Sequence, residues 1–179
     1  MSYRVVAILL FATPLFAQFR TNVVEKVPAG IKVREFIRQD YLGGRLSAAG
    51  WARMKPLTTW SENPDWKDFR VIARYELMGA AESVRNAKAV VHYQVLGRFV
   101  DGIGFEPIGS SEDIEFRLKQ IDGEWKIDST DDDRFEPRVS RQSALQWLQA
   151  QLPKAKSPAE KLSIEQALKE IQKPQPPVR

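Results

Sequence analysis

The sequence contains no cysteine. This excludes disulfides, thiolate metal sites and cysteine nucleophiles. It also excludes a lipid anchor of the kind that needs a cysteine just after a cleaved leader. Histidine occurs once, at His92, so a zinc site would need mostly carboxylate ligands, which is unusual for that ion. There is no nucleophile elbow, no phosphate-cradling loop and no dinucleotide fingerprint. Gly102-Ile-Gly104 lacks both the third glycine and the helix that should follow it. No metal and no cofactor is therefore expected. Basic residues are scattered among acidic ones, and the net charge is only +4. A nucleic-acid binder should instead concentrate its positive charge on one face, so no nucleic-acid partner is expected.

Long apolar runs are also scarce. The one at the start, Val5 to Ala12, follows Arg4 and leads into Pro14-Leu15-Phe16-Ala17. A positive charge, a short apolar stretch and a small residue form the pattern of a secretory signal. It predicts cleavage after Ala17 and export to the periplasm or the outside medium. The run is too short for a bilayer span, which takes roughly 20 residues; an uncleaved anchor is the alternative. No later stretch is long and apolar enough, so no membrane span is expected after cleavage. The remainder is large enough for one domain with its own core.

Helical spacing dominates the first part of that remainder. Val33, Phe36, Ile37, Asp40 and Tyr41 share one face of a predicted helix over 28–45, ended by Gly43-Gly44. Ser47 is placed to cap a short helix, Ala48 to Met54, that carries Trp51. A loop rich in Pro and Trp follows, including Trp60 and Trp66. The period then changes to two. Strands are predicted over 69–77, over 89–96 with continuation to Phe99, over 113–119 and over 125–127. Asp122-Gly123 reads as a two-residue hairpin turn before the last of these. Short connections favour an antiparallel meander. Residues 128–137 read as an acidic loop. Ser140 caps a helix to about Leu152, and Ser157-Pro-Ala-Glu160 is a capping box opening another. Together these make a C-terminal helical hairpin over 140–172, after a domain spanning 18–139. The Pro-rich tail, 173–179, should be extended.

Helices followed by a curved antiparallel meander give an α+β class. Val33-Arg-Glu-Phe-Ile37, the Gly43-Gly44 break and Gln120-Ile-Asp-Gly-Glu-Trp-Lys-Ile127 resemble the layout of the nuclear transport factor 2-like superfamily. This is the cone-shaped fold shared by ketosteroid isomerases and polyketide cyclases. The resemblance covers about residues 28–128 and leaves the C-terminal hairpin as an addition. It implies a pocket between the first helix and the concave sheet face, and it carries over no catalytic motif.

In that arrangement Tyr75 and Tyr93 face the pocket, with Trp60 and Trp66 near its mouth beside Trp51. The same aromatics could simply fill a core. Asp40, on the apolar stripe of the first helix, is the candidate general base, since a carboxylate in an apolar cavity has a raised pKa. The competing role for Asp40 is an ion pair with Arg45 or backbone groups at the Gly43-Gly44 turn. His92 falls on the opposite, even-numbered sheet face. Asp128, Asp131, Asp132 and Asp133 offer oxygens for calcium but lack the turn glycine of a calcium loop, so a solvated acidic turn is the competing reading. The expected function is a non-catalytic module binding a small apolar ligand or an envelope partner. An isomerase- or cyclase-like enzyme built on Asp40 is one alternative. The other is a dimerising assembly module, with a homodimer formed through the even-numbered face carrying Ile72, Val90 and Leu96.

Overall fold

The computed structural model describes residues 27–63, 65–130 and 135–174. The segment 1–17 read as a secretory signal, Asp131 to Asp133 and most of the Pro-rich tail lie outside the described residues.

Helix α1 (Pro28–Tyr41) begins with proline at its first position, where the missing N–H costs nothing. It ends at Gly43, whose φ of 80° lets the chain reverse. A single tight turn over Gly44–Leu46 follows, then α2 (Ala48–Met54), whose first-turn N–H of Gly50 donates to the Ser47 hydroxyl at 3.1 Å.

Strands β1 (Phe69–Glu82), β2 (Asn86–Val100), β3 (Gly104–Ile121) and β4 (Glu124–Thr130) form an antiparallel meander. A fifth strand, β5 (Arg138–Ser140), pairs parallel to β1, giving the order β4-β3-β2-β1-β5 in a curled half-barrel. Asp122 and Gly123 both have positive φ, 52° and 81°, as a hairpin of this twist requires. The chain therefore leaves one edge of the sheet at β4 and returns to the other at β5. Helices α3 (Arg141–Gln151) and α4 (Pro158–Gln172) complete the fold.

The α+β class is as read from the sequence, but two strand readings need correction. Strand β3 starts at Gly104, well before the predicted 113. Pro107 and Gly109 suggest a loop, yet Pro107 lies on a stretch that β4 does not reach. Gly109, at φ 63°, absorbs a bulge opposite Leu96. The other correction concerns faces. Bulges in β1 between Val71 and Arg74 break the alternation.

As a result Phe69 and Val71 join an outer core with Leu96, Phe99, Leu148 of α3 and Ile164 of α4. Ile72 turns instead into an inner core, where Phe36 and Ile37 of α1 and Trp51 of α2 pack on Val91, Tyr93 and Phe116. The even-numbered face therefore does not present the apolar patch expected for a homodimer. Ile72 and Leu96 are both buried within this chain, and only Val90 of the three is partly exposed.

Candidate functional site

Asp40 follows Phe36 by one helical turn, so the stripe that anchors α1 carries its carboxylate into the interior, 2% exposed. It does not arrive alone. The Gly43 reversal brings Arg45 back against it: Nε donates to Oδ1 at 2.8 Å and Nη2 to Oδ2 at 2.6 Å. The backbone N–H of Arg138 also donates to Oδ2, at 2.9 Å. Arg45 itself is 2% exposed and donates further to the carbonyls of Phe135 and Glu136. Its guanidinium lies 4.0 Å from the Phe135 ring centroid. This bidentate pair, with Nη1 and Nη2 also bonded to backbone carbonyls, is the geometry in which a buried ion pair can offset its desolvation.

A second arginine continues the arrangement. Arg138 is buried on β5, donates from Nε to Glu112 at 2.8 Å and stands 5.2 Å from the Tyr93 ring centroid. Glu112 also pairs with Arg70. Beyond it, Glu136 accepts from Arg98 Nε at 2.9 Å, and Arg98 reaches Asp68 at 3.3 Å. The charges alternate in sign from the inner core to the surface, so each is balanced within reach.

The residues read from the sequence as a pocket lining lie beside this chain of charges. Trp66 lies 5.7 Å from Arg45, which holds Asp40; Arg138 stands between Asp40 and Tyr93. Tyr75 is tilted against Tyr93 at 6.4 Å and edge-on to Tyr41 at 5.2 Å. Trp60 stacks on Trp51 and meets Phe36 edge-on. Phe135, on the segment crossing from β4 to β5, stacks on Phe36 at 5.7 Å and meets Phe116 edge-on. Burial pushes the Tyr93 hydroxyl pKa far up, against a smaller downward pull from Arg138. Tyr75 shifts upward by the same cause, reinforced by Tyr41.

Arg45 was legible as a partner of Asp40 from its place beyond the Gly43-Gly44 turn; Arg138, Glu112 and Glu136 were not. Arg138 lies 98 residues from Asp40, Glu136 lies 91 from Arg45 and Glu112 lies 26 from Arg138, so no local spacing reveals them.

A cleft opens where Trp66 meets the surface. One cavity of about 470 Å³ is lined by Asp65, Trp66, Lys67, Asp68, Arg98 and Glu136. A neighbouring one of about 170 Å³ shares Asp65, Trp66 and Lys67 and is backed by Phe99 and by Trp147 and Gln151 of α3. The Trp147 indole N–H is satisfied by the Leu46 carbonyl at 3.1 Å, whereas Trp66 Nε1 is buried with no acceptor.

The remaining candidates sit apart. His92 pairs with Asp113 across β2 and β3 at 2.6 Å. Asp128 contacts Lys119 at 2.9 Å and Thr59 at 3.2 Å. Among the described residues, no group of three His, Asp or Glu side chains converges as a metal site would require. No protein-family model and no curated protein matches the chain.

Proposed function

We propose that this chain is an exported, non-catalytic binding module with the cone-shaped layout of the nuclear transport factor 2-like superfamily, and that its ligand enters the Trp66 cleft. The export part rests on the signal pattern of residues 1–17. The superfamily part rests on helices α1 and α2 packed within a curled sheet.

One observation carries the binding reading. The interior groups best suited to proton transfer are already occupied by partners of the chain's own making. Both Asp40 oxygens accept from Arg45 and one also from Arg138, and Tyr93 is buried beside a guanidinium. A general base needs a lone pair within reach of the substrate proton. The cleft, by contrast, sets the Trp66 and Trp147 side chains beside charged groups that reach the surface, where a ligand has access to them.

The test is a thermal-shift screen of the exported protein against apolar, neutral polar, cationic and anionic compounds. A ligand at a hundred times its Kd should raise Tm by about 5–10 °C, a gain lost in Trp66→Ala. A screen in which no compound raises Tm would overturn the reading.

A further inference from the structure

Resting on the binding-module reading, we propose that the Trp66 cleft takes an organic polycation, a linear polyamine. Five carboxylates line it, from Asp65, Asp68, Asp101, Glu136 and Glu160, against two cations, Lys67 and Arg98. The whole chain carries a net charge of +4, so the cleft is opposite in sign to the molecule around it.

Three of these carboxylates have cations of the chain's own. Arg98 holds Glu136 and reaches Asp68, and Arg70 lies 3.6 Å from Glu136. Lys67 lies 3.6 Å from Asp101. The other two do not. Among the described residues Asp65 forms no ion pair, and the Glu160 carboxylate accepts only the neutral backbone N–H of Lys156, at 2.6 Å. Both line the smaller cavity, of about 170 Å³. An anionic ligand would be repelled by this uncompensated pair, and a neutral one would leave it without a countercharge.

The kind of cation follows from the walls of that cavity. The indoles of Trp66 and Trp147 line it with the two carboxylates. Trp147 already donates its N–H to the Leu46 carbonyl, so what it offers a ligand is its ring. Indole rings attract ammonium groups and pack against methylene chains, and a hydrated metal ion gains from neither. The carboxylates are also dispersed: among the described residues no three converge as a metal ion would require. A linear polyamine carries its charges several bonds apart on an apolar chain. It matches separated carboxylates set beside aromatic rings.

The experiment is calorimetric titration of the exported protein with putrescine and spermidine, alongside magnesium chloride, maltose and citrate. The expected result is binding of the two amines, spermidine the tighter, and of none of the other three. Asp65→Asn and Glu160→Gln should each weaken amine binding about two- to fivefold, the range of a single exposed ion pair. Glutamine keeps an oxygen for the Lys156 N–H, so the second variant preserves the start of α4. Lys67→Gln should tighten binding by a similar factor, because it removes a competing cation and releases Asp101. Lys67 is exposed, so its variant keeps the test open should the Trp66→Ala variant fail to fold. Amine binding matched by magnesium, or unchanged in all three charge variants, would overturn the polyamine assignment. Silence toward the amines, with a Trp66-dependent hit from maltose, citrate or the wider screen, would overturn it and leave the binding module standing. Silence toward the amines, with a hit that ignores Trp66, would overturn the cleft. Silence in both experiments would overturn the cleft and the module together.

Discussion

Replacing Asp40 by asparagine tests the inner network at its most buried point. The substitution keeps the side-chain shape and an oxygen for the Arg138 N–H. It removes the countercharge from Arg45, which is 2% exposed and has no route to water. Arg45 retains two carbonyl acceptors, from Phe135 and Glu136, but these cannot neutralise it. Removing one partner of a buried pair costs about 3–5 kcal/mol. Against a total stability of roughly 5–15 kcal/mol, that is a large share. For a chain of this size the fall in Tm should be about 6–20 °C.

Urea denaturation followed by tryptophan fluorescence measures the loss directly, since the pair lies between α1 and the Trp66 loop. Asp40→Asn with Arg45→Met separates charge from packing. The double variant no longer buries a lone cation, so it should recover part of the loss. Recovery stays incomplete because the carbonyls of Phe135 and Glu136 then lose a donor, at about 1–3 kcal/mol for each one left unsatisfied. A cost below 1 kcal/mol for Asp40→Asn alone would refute the reasoning, because it would mean that the carboxylate does not hold Arg45 in the folded state.

Further outcomes follow from other parts of the fold. The Tyr93 hydroxyl titrates well above its ordinary value when folded, so above about pH 10 the unfolded chain releases a proton that the native chain keeps. Stability should therefore be fully present below that pH and fall above it, by up to about 1.4 kcal/mol per pH unit, and Tyr93→Phe should flatten the fall in urea titrations between pH 9 and 11. A Cβ at Gly50 would lie 2.3 Å from the Gly44 carbonyl oxygen, so Gly50→Ala should lose about 1–3 kcal/mol despite alanine's better helix propensity. Trp66→Phe deletes an unsatisfied N–H and should hold or raise stability, by at most about 1–3 kcal/mol, measured by the same melts. Mass spectrometry of the exported protein should find residue 18 at its N-terminus; a chain retaining Met1 would contradict the signal reading.

The helices and the hairpin turn were legible because their signals are local. Helical spacing put Val33, Phe36, Ile37 and Asp40 on one face, and Ser47, Ser140 and Ser157 mark starts that their side chains do cap. Gly43 and Asp122-Gly123 occupy the backbone conformations their positions demand. The strand faces were legible only as far as alternation persists. Tyr75 and Tyr93 pair directly in register and face the inner core, but the bulges around Ile72 transfer Phe69 and Val71 to the outer one. No pattern of apolar and polar residues shows where a bulge will fall, because bulges arise from the fit between strands.

The fifth strand was hidden for a related reason. Three residues, Arg138–Ser140, are too few to show a period, and two of them are polar. Their burial comes from partners elsewhere: Glu112 and Asp40 for Arg138, the outer core for Val139. The Trp66 cleft was half visible. Its tryptophan and neighbouring charges stood out in the loop, but Arg98, Trp147 and Gln151 reach it from β2 and α3, and only the tertiary fold brings them there.

The most direct test of the account uses the five indole N–H resonances of the protein, from Trp51, Trp60, Trp66, Trp125 and Trp147. Each can be assigned by single Trp→Phe variants in a nitrogen–proton correlation spectrum, and the spectrum is then followed as the best ligand from the screen is added. The account predicts that Trp66 moves most, in the direction of a newly hydrogen-bonded N–H, with Trp147 second and Trp51 and Trp60 nearly still. Movement concentrated at Trp51 and Trp60, with Trp66 unchanged, would place the ligand against the inner core and contradict it.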